Sequence, residues 1–116
     1  MPFELDDYTY EPEKIYNDLE EARKVLTGAM REHDILEAFG DYLLARLIEK
    51  KRSDGISVTL AEKLAKGCND WRVHRGGLAV AKEKMNSAKF HYDNLKYYAD
   101  ARRTQESTRK TLAALR

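Results

Sequence analysis

The sequence has few of the residues that interrupt or cross-link a chain: among 116 residues there are one cysteine, two prolines and six glycines. The single cysteine, Cys68, excludes an internal disulfide and is typical of a reducing compartment. Sandwiches and barrels need turn residues about every 8–12 positions, which this composition does not supply. No apolar run approaches the roughly 20 residues that cross a bilayer, and no signal-peptide core is present. We therefore expect one all-α domain, residues 1–116, that is cytoplasmic and does not contact membranes.

Charge is abundant and unevenly distributed. The total is nearly balanced, with 21 bases against 20 acids. Residues 1–21 hold eight acids and one base, a net charge of −7, whereas residues 58–116 hold thirteen bases and six acids, a net charge of +7. The near-neutral total therefore does not exclude an anionic partner for the second half of the chain.

The first half has the apolar periodicity of a long helix. Pro12 suits a helix start, the run Lys50-Lys51-Arg52 suits a helix end, and Ser53-Asp54-Gly55 suits a turn. We predict a helix over 13–52 and a turn over 53–57. Its apolar stripe advances in steps of four and three, and eight of its ten positions are apolar: Ile15, Leu19, Ala22, Leu26, Ala29, His33, Leu36, Gly40, Leu43 and Leu47.

A second long helix is predicted over 59–115. It begins at Ser57 or Thr59, and Glu62 lies at the capping-box spacing from Thr59. Each glycine of the doublet Gly76-Gly77 costs about 1 kcal/mol in a helix, so a break there that produces three helices is the alternative. The predicted stripe consists of Leu60, Leu64, Gly67, Trp71, His74, Leu78, Ala81, Met85, Ala88, Tyr92, Leu95 and Ala99.

Two such helices joined by a short turn predict a long antiparallel two-helix coiled-coil hairpin. A turn centred near Gly55 predicts four facing pairs: Gly40 with Trp71, Leu19 with Tyr92, Leu26 with Met85, and Leu47 with Leu64. The second helix is longer, so roughly its last 16 residues extend beyond the first, where the stripe becomes polar. Because each helix buries only one stripe, we also expect a homo-oligomer.

The N-terminal segment 1–11 is acidic and also contains four large apolar side chains. We expect it to pack as an extended strap against the second helix near Tyr97 and Tyr98. A disordered acidic leader is the alternative. The four side chains are Phe3, Leu5, Tyr8 and Tyr10.

The basic second helix carries the candidate functional residues. Four cations spaced by seven residues share one helix face, and such a row can follow a phosphate backbone without reading its sequence. Neighbouring tyrosines can stack on unpaired bases. A solvated coiled-coil surface is the alternative, and Tyr92 fits the apolar stripe better than a base platform. The predicted nucleic-acid-binding residues are Lys82, Lys89, Lys96, Arg102, Arg103, Arg109, Tyr97 and Tyr98.

Signals for other chemistry are weak. A carboxylate-bridged metal bundle needs Glu-x-x-His pairs, which the sequence lacks. We interpret His33, His74 and His91 as core or boundary residues, with His33 and His74 near the same level, and Cys68 as a small buried side chain. Gly76-Gly77 has none of the residues of a phosphate loop. We predict no metal site, no cofactor, no catalytic residue and no enzymatic activity.

The segment Tyr97–Arg109 resembles the C-terminal end of small helical-hairpin proteins of tailed bacteriophages, in which an Arg-rich segment reads R-x-x-x-E-x-x-R. Arg102 or Arg103, with Glu106 and Arg109, corresponds to that pattern, and the resemblance covers mainly residues 78–116. Such proteins are often encoded near recombination and single-strand annealing genes. The resemblance implies a role in nucleic-acid metabolism in the host cytoplasm.

Two functions follow as predictions. The first is a non-enzymatic accessory protein of nucleic-acid metabolism, which binds single-stranded or duplex DNA, or a recombination protein, through its basic C-terminal helix. The alternative is a protein–protein adaptor or inhibitor of a phage or host protein, which uses the coiled-coil surface and the acidic N-terminal arm. A structural oligomer within an assembled particle is a third possibility.

Overall fold

The computed structural model describes residues 10–52 and 55–115. These ranges form three helices, α1 (Pro12–Arg52), α2 (Val58–Gly67) and α3 (Asn69–Ala114), and contain no strand. The predicted all-α helical hairpin is confirmed, and α1 coincides with the predicted helix to within one residue. The predicted strap lies outside the described residues, apart from its last two positions.

The connection from α1 to α2 depends on two small residues. Gly55 has a φ of 84°, a left-handed conformation that glycine adopts without steric cost, and its N–H donates to the Arg52 carbonyl at 2.9 Å. Ser57 then begins the next helix, because its hydroxyl accepts a hydrogen bond from the Leu60 N–H at 3.2 Å. Of the two predicted starts, Ser57 is therefore the N-cap, and Thr59 lies inside α2.

The predicted second helix is divided in two, and the break is at Cys68, whereas the sequence predicted any break at Gly76-Gly77. Cys68 has φ −78° and ψ 160°; its N–H donates to the Ala65 carbonyl and its carbonyl accepts from the Arg72 N–H, both at 3.2 Å. One extended residue thus ends α2 and precedes α3. Gly76 and Gly77 lie inside a continuous helix, since a cost of about 1 kcal/mol per glycine is smaller than the loss of a packed helix.

The break also changes which face of α2 points inward. Ala61 and Ala65 are completely buried, whereas Leu60 and Leu64 are 46% and 45% exposed. The predicted stripe is therefore wrong by one position in α2, and the pair of Leu47 with Leu64 stays a prediction. Small alanines allow the short helix to approach its neighbours closely.

The stripes predicted for α1 and for α3 from Trp71 to Ala99 are the inward faces of these helices. Every one of their positions is buried or half-buried. The most buried are small, with Ala22, Ala29, Ala81 and Ala99 all at most 4% exposed. The described residues therefore form a narrow core that depends on close helix–helix approach more than on large side chains.

The register of the hairpin differs from the predicted one by about three residues. Gly40 lies against His74 and not Trp71, and a Cβ built at Gly40 would be 2.5 Å from His74 Nε2. Glu32 Oε2 and Lys84 Nζ are 3.3 Å apart. These two contacts advance along α1 while they retreat along α3, so the helices are antiparallel. The pairs Leu19–Tyr92 and Leu26–Met85 stay predictions.

The chain divides into two units, and α1 and α3 each contribute a segment to both. The first unit consists of the described residues of Met1–Leu26 and Ala88–Arg116, and the second of Thr27–Ser87. In the first unit α3 continues to Ala114, and all of residues 107–115 are exposed. No helix in the described part of the chain is long and apolar enough to span a membrane.

Candidate nucleic-acid interface

The predicted cations of the first unit lie along α3 and mostly face solvent. Lys89, Lys96, Arg103 and Arg109 are exposed, whereas Arg102 is half-buried. In each heptad of α3, the residue directly after an inward position faces solvent. Lys89, Lys96 and Arg103 occupy this position in successive heptads. The predicted residue Lys82 is also exposed, but it belongs to the second unit.

The spacing of seven residues extends beyond the four cations that were predicted to share one helix face. Arg75 and Lys110 continue the series by seven residues at either end, and both are exposed. Four members of the series lie in the first unit, and we call them the cationic stripe: Lys89, Lys96, Arg103 and Lys110. Continuing the step of seven would have found Lys110 from the sequence alone.

Lys89 and Lys96 of the cationic stripe make different contacts from its arginine, Arg103. Neither Lys89 nor Lys96 forms an ion pair with any residue that the structure describes. Lys96 Nζ lies 5.5 Å from the centroid of the Tyr92 ring, a cation–π distance. Arg103 donates to Asp100 Oδ1 at 2.7 Å, but both side chains are more than half exposed, so this pair contributes little stability.

Aromatic side chains are exposed beside the cationic stripe. Tyr97 is 80% exposed, and Phe90, which is not among the predicted residues, is 69% exposed. They are seven residues apart and occupy the helix position that follows the lysines. Tyr98 is half exposed, and the Arg102 guanidinium carbon lies 5.5 Å from its ring centroid. Tyr92 is half-buried in the stripe, as its spacing predicted.

The stripe becomes polar toward the end of α3, where Arg102 is half-buried, Glu106 is buried and Arg109 is exposed. Glu106 is only 7% exposed, and its Oε1 accepts from Arg109 Nη2 at 3.0 Å. Its other carboxylate oxygen, Oε2, is buried without a hydrogen-bond partner, as is Gln105 Oε1. Burial of these polar groups destabilises the packing of the first unit at this end.

One ion pair of the first unit lies on α1. Arg23 Nη2 lies 2.9 Å from Glu20 Oε2. The hydrogen bond and charge of Arg23 lower the pKa of the Glu20 carboxyl, and the same hydrogen bond raises the pKa of Arg23, with a smaller contribution from Tyr92. Both side chains face solvent, so salt weakens the interaction.

The three histidines have different surroundings. His74 is buried beside the rings of Phe39 and Trp71, at centroid distances of 5.8 and 5.5 Å. His91 is exposed, so its interpretation as a core or boundary residue is wrong. The half-buried His33 does not face His74, because Gly40 occupies that place.

One group of side chains has ligand types that a metal ion accepts. His33 Nδ1 lies 3.4 Å from Asp34 Oδ1 and 3.7 Å from Glu37 Oε2 on the same helix. The three ligand atoms lie within 4.8 Å of one another, but both carboxylates are exposed. The same geometry is an ordinary ion pair when the imidazole is protonated, so the cluster has no feature that requires a metal. Cys68 is a half-buried free thiol at the joint between α2 and α3.

Comparison with known proteins does not assign the chain to a family. No protein-family model matches the sequence, and neither the curated proteins nor the solved structures give a match.

Proposed function

We propose that the chain is a non-enzymatic nucleic-acid-binding protein whose cationic stripe contacts phosphates and whose exposed Tyr97 stacks on unpaired bases. One observation carries the proposal: four exposed cations occupy successive heptad positions of α3 in the first unit, beside exposed aromatic rings. An association with phage recombination proteins has the sequence resemblance as its only support.

The charge of this part of the chain favours a polyanion. Residues 88–116 contain seven bases and three acids, a net charge of +4. Two of those acids, Asp100 and Glu106, are hydrogen-bonded to arginines. Lys89 and Lys96 have no carboxylate partner among the residues that the structure describes. Lysines that release counterions from phosphates on binding give an affinity that falls steeply with salt and depends little on sequence.

The geometry favours a backbone contact over base readout. Seven residues of α-helix rise about 10 Å, and long lysine side chains reach several ångströms to either side. A single row of point charges therefore follows a flexible strand without fixing a register. The adjacent rings add stacking, which is worth about 1–3 kcal/mol per base and tolerates any sequence.

A charge-matched pair of variants tests the phosphate contacts. In fluorescence-anisotropy titrations with an oligo-dT strand and with a duplex, Lys89→Gln/Lys96→Gln is expected to reduce the salt slope of binding by about 1.4 on the single strand and about 1.8 on the duplex. The control, Lys14→Gln/Lys24→Gln, removes the same charge from exposed positions of α1 in the same unit. The proposal is overturned if the protein does not bind at about 50 mM salt, or if both double variants weaken binding equally.

Tyr97→Ala tests the stacking. We expect it to weaken single-strand binding by about tenfold, the equivalent of one lost base stack, and to leave duplex binding nearly unchanged. Tyr16→Ala is the control, because Tyr16 is 63% exposed on α1. Equal losses for the two variants, or equal losses on both nucleic acids, would show that Tyr97 does not stack on bases.

A further inference from the structure

The second unit has an exposed apolar face that its own residues leave uncovered. Ile35, Phe39 and Tyr42 on α1 are 48–58% exposed, and Val73 and Val80 on α3 are 67% and 65% exposed. On α1 these residues lie four and three positions apart and on α3 they lie seven apart, so they form one stripe beside the inward stripe on each helix. We call these five residues the apolar face.

Contacts between the two helices set the levels of the apolar face. Glu32 and Lys84 are joined at 3.3 Å, and the helices are antiparallel. Seven residues farther along α1 and seven back along α3, Phe39 is therefore level with Gly77. After another seven, Arg46 is level with Asp70, and these two residues line one hollow.

Both helices carry the same order of side-chain types along this stripe. An acid, a first apolar residue, a central residue, a second apolar residue and a base follow at intervals of three, four, three and four residues. The two series are Glu32, Ile35, Phe39, Tyr42 and Arg46 on α1, and Asp70, Val73, Gly77, Val80 and Lys84 on α3. A surface with this pattern is complementary to itself, as an isologous dimer interface must be.

We infer that the apolar face binds a second copy of this chain, with the two-fold axis parallel to the helices. In that arrangement α1 of one protomer packs antiparallel on α3 of its partner. Phe39 lies over the partner's Gly77, Ile35 over the partner's Val80, and Tyr42 over the partner's Val73. At the two ends Glu32 meets the partner's Lys84 and Arg46 meets the partner's Asp70.

The size of the central residues selects this arrangement. A Cβ built at Gly77 would meet nothing within 4 Å, so no contact within the chain requires a glycine there. An aromatic ring from outside does require it, because the ring fills the space that a side chain would take. A two-fold axis perpendicular to the helices also pairs the charges. That arrangement, however, places Phe39 on the partner's Phe39 and leaves a gap between the two Gly77 residues. The gap loses van der Waals contacts and makes this dimer less stable.

A pair of neighbouring glycine variants tests the dimer. Sedimentation equilibrium of the full chain is expected to give twice its 13.4 kDa mass. Gly77→Leu fills the space that Phe39 occupies in the dimer, once on each protomer. It is expected to raise the dissociation constant by about 100-fold, roughly tenfold for each of the two sites. Gly76→Leu is the control: its position also has open space, but it points away from the apolar face. Helix content by circular dichroism is expected to be retained in both variants, since leucine is the better helix former.

Cysteine pairs test the orientation. In a Cys68→Ser background, a mixture of Ile35→Cys and Val80→Cys chains is expected to form a covalent dimer under mild oxidation, seen by non-reducing electrophoresis, and no disulfide can close within a chain that carries one cysteine. A mixture of Ile35→Cys and Tyr42→Cys chains, which fits the axis perpendicular to the helices, is expected to stay uncrosslinked. Three results would overturn the proposal. They are a monomer in sedimentation at about 200 µM, a concentration that reveals a weak dimer; a dimer that is unaffected by Gly77→Leu; and crosslinking of the second cysteine pair alone. A monomer would direct attention to a different protein as the occupant of the apolar face.

Discussion

The two units of this chain share the same two long helices but differ in what they bury and expose. The second unit buries Leu47, Ala61, Ala65 and Ala81 with His74, and its solvent side includes the apolar face. The first unit buries Ala22 and Ala99, then Glu106, and its solvent side presents the cationic stripe beside Phe90 and Tyr97.

The difference shows how one heptad repeat supports two kinds of surface. Inward positions hold the hairpin together, while the positions on either side of them are free to vary. In the second unit one flank is apolar with charges at its ends, which suits protein packing. In the first unit the other flank is cationic, which suits a polyanion. Four predictions test whether packing and surface are divided in this way.

The largest effect is expected where the helices of the second unit approach most closely. Gly40→Ala places a methyl group about 2.5 Å from His74 Nε2, and the rings of Phe39 and Trp71 restrict the movement of His74. We expect the free energy of unfolding in urea to fall by about 1–3 kcal/mol. Gly28→Ala in the same helix meets no atom within 4 Å and is expected to gain about 0.5–1 kcal/mol. A gain from both substitutions would contradict the close approach.

The next effect has the opposite sign and belongs to the first unit. Glu106→Leu removes a buried carboxylate oxygen that has no hydrogen-bond partner and restores an apolar residue to the inward stripe. We expect the free energy of unfolding to rise by about 1 kcal/mol, since replacing buried charge by a packed apolar group is often stabilising. Glu83→Leu, at an exposed position of α3, is expected to change it by less than about 0.5 kcal/mol. A loss of stability in the first variant would show that the carboxylate is needed for packing.

A loss of similar size is expected at the start of α2. Ser57→Ala removes the acceptor of the Leu60 N–H and is expected to lower the free energy of unfolding by about 1 kcal/mol. Thr59→Ala, inside the helix, is expected to be neutral or slightly stabilising. The reverse order in urea denaturation would place the cap at Thr59.

The smallest effect concerns pH and the first unit. Because Arg23 lowers the pKa of Glu20 below 4.5, the pair adds stability that is complete above that value and is lost as the pH falls through the lowered pKa. An NMR titration of the Glu20 side chain is expected to show the lowered value and its return toward 4.5 in Arg23→Gln. Identical titrations in the two proteins would exclude the ion pair in solution. Salt is expected to reduce the shift, since both groups are exposed.

Much of the fold was predictable because the inward stripe depends on local periodicity. The ten predicted positions of α1 and those of α3 up to Ala99 are all buried or half-buried. The register differs by about three residues from the predicted one, because it depends on the path of the connection. Cys68 takes an extended conformation that no residue type signals, and that single residue rotates α2 and moves the partner of Gly40 from Trp71 to His74.

The candidate site follows the same division. The exposure of Lys89 and Lys96 was predictable, since each follows an inward position by one residue. The ion pair of Arg103 with Asp100 and the burial of Glu106 were not, because side-chain rotamers and tertiary packing decide them. That the exposed cations bind nucleic acid stays a prediction.

The sequence by itself determined that the chain is helical, which positions face inward and where the cations lie, since all three follow from residue spacing along a helix. Only the tertiary structure decided where the second helix breaks, which residues face each other and which apolar side chains stay uncovered. Those features depend on the geometry of a turn and of one extended residue, and an error of one residue there turns a helix by about 100°.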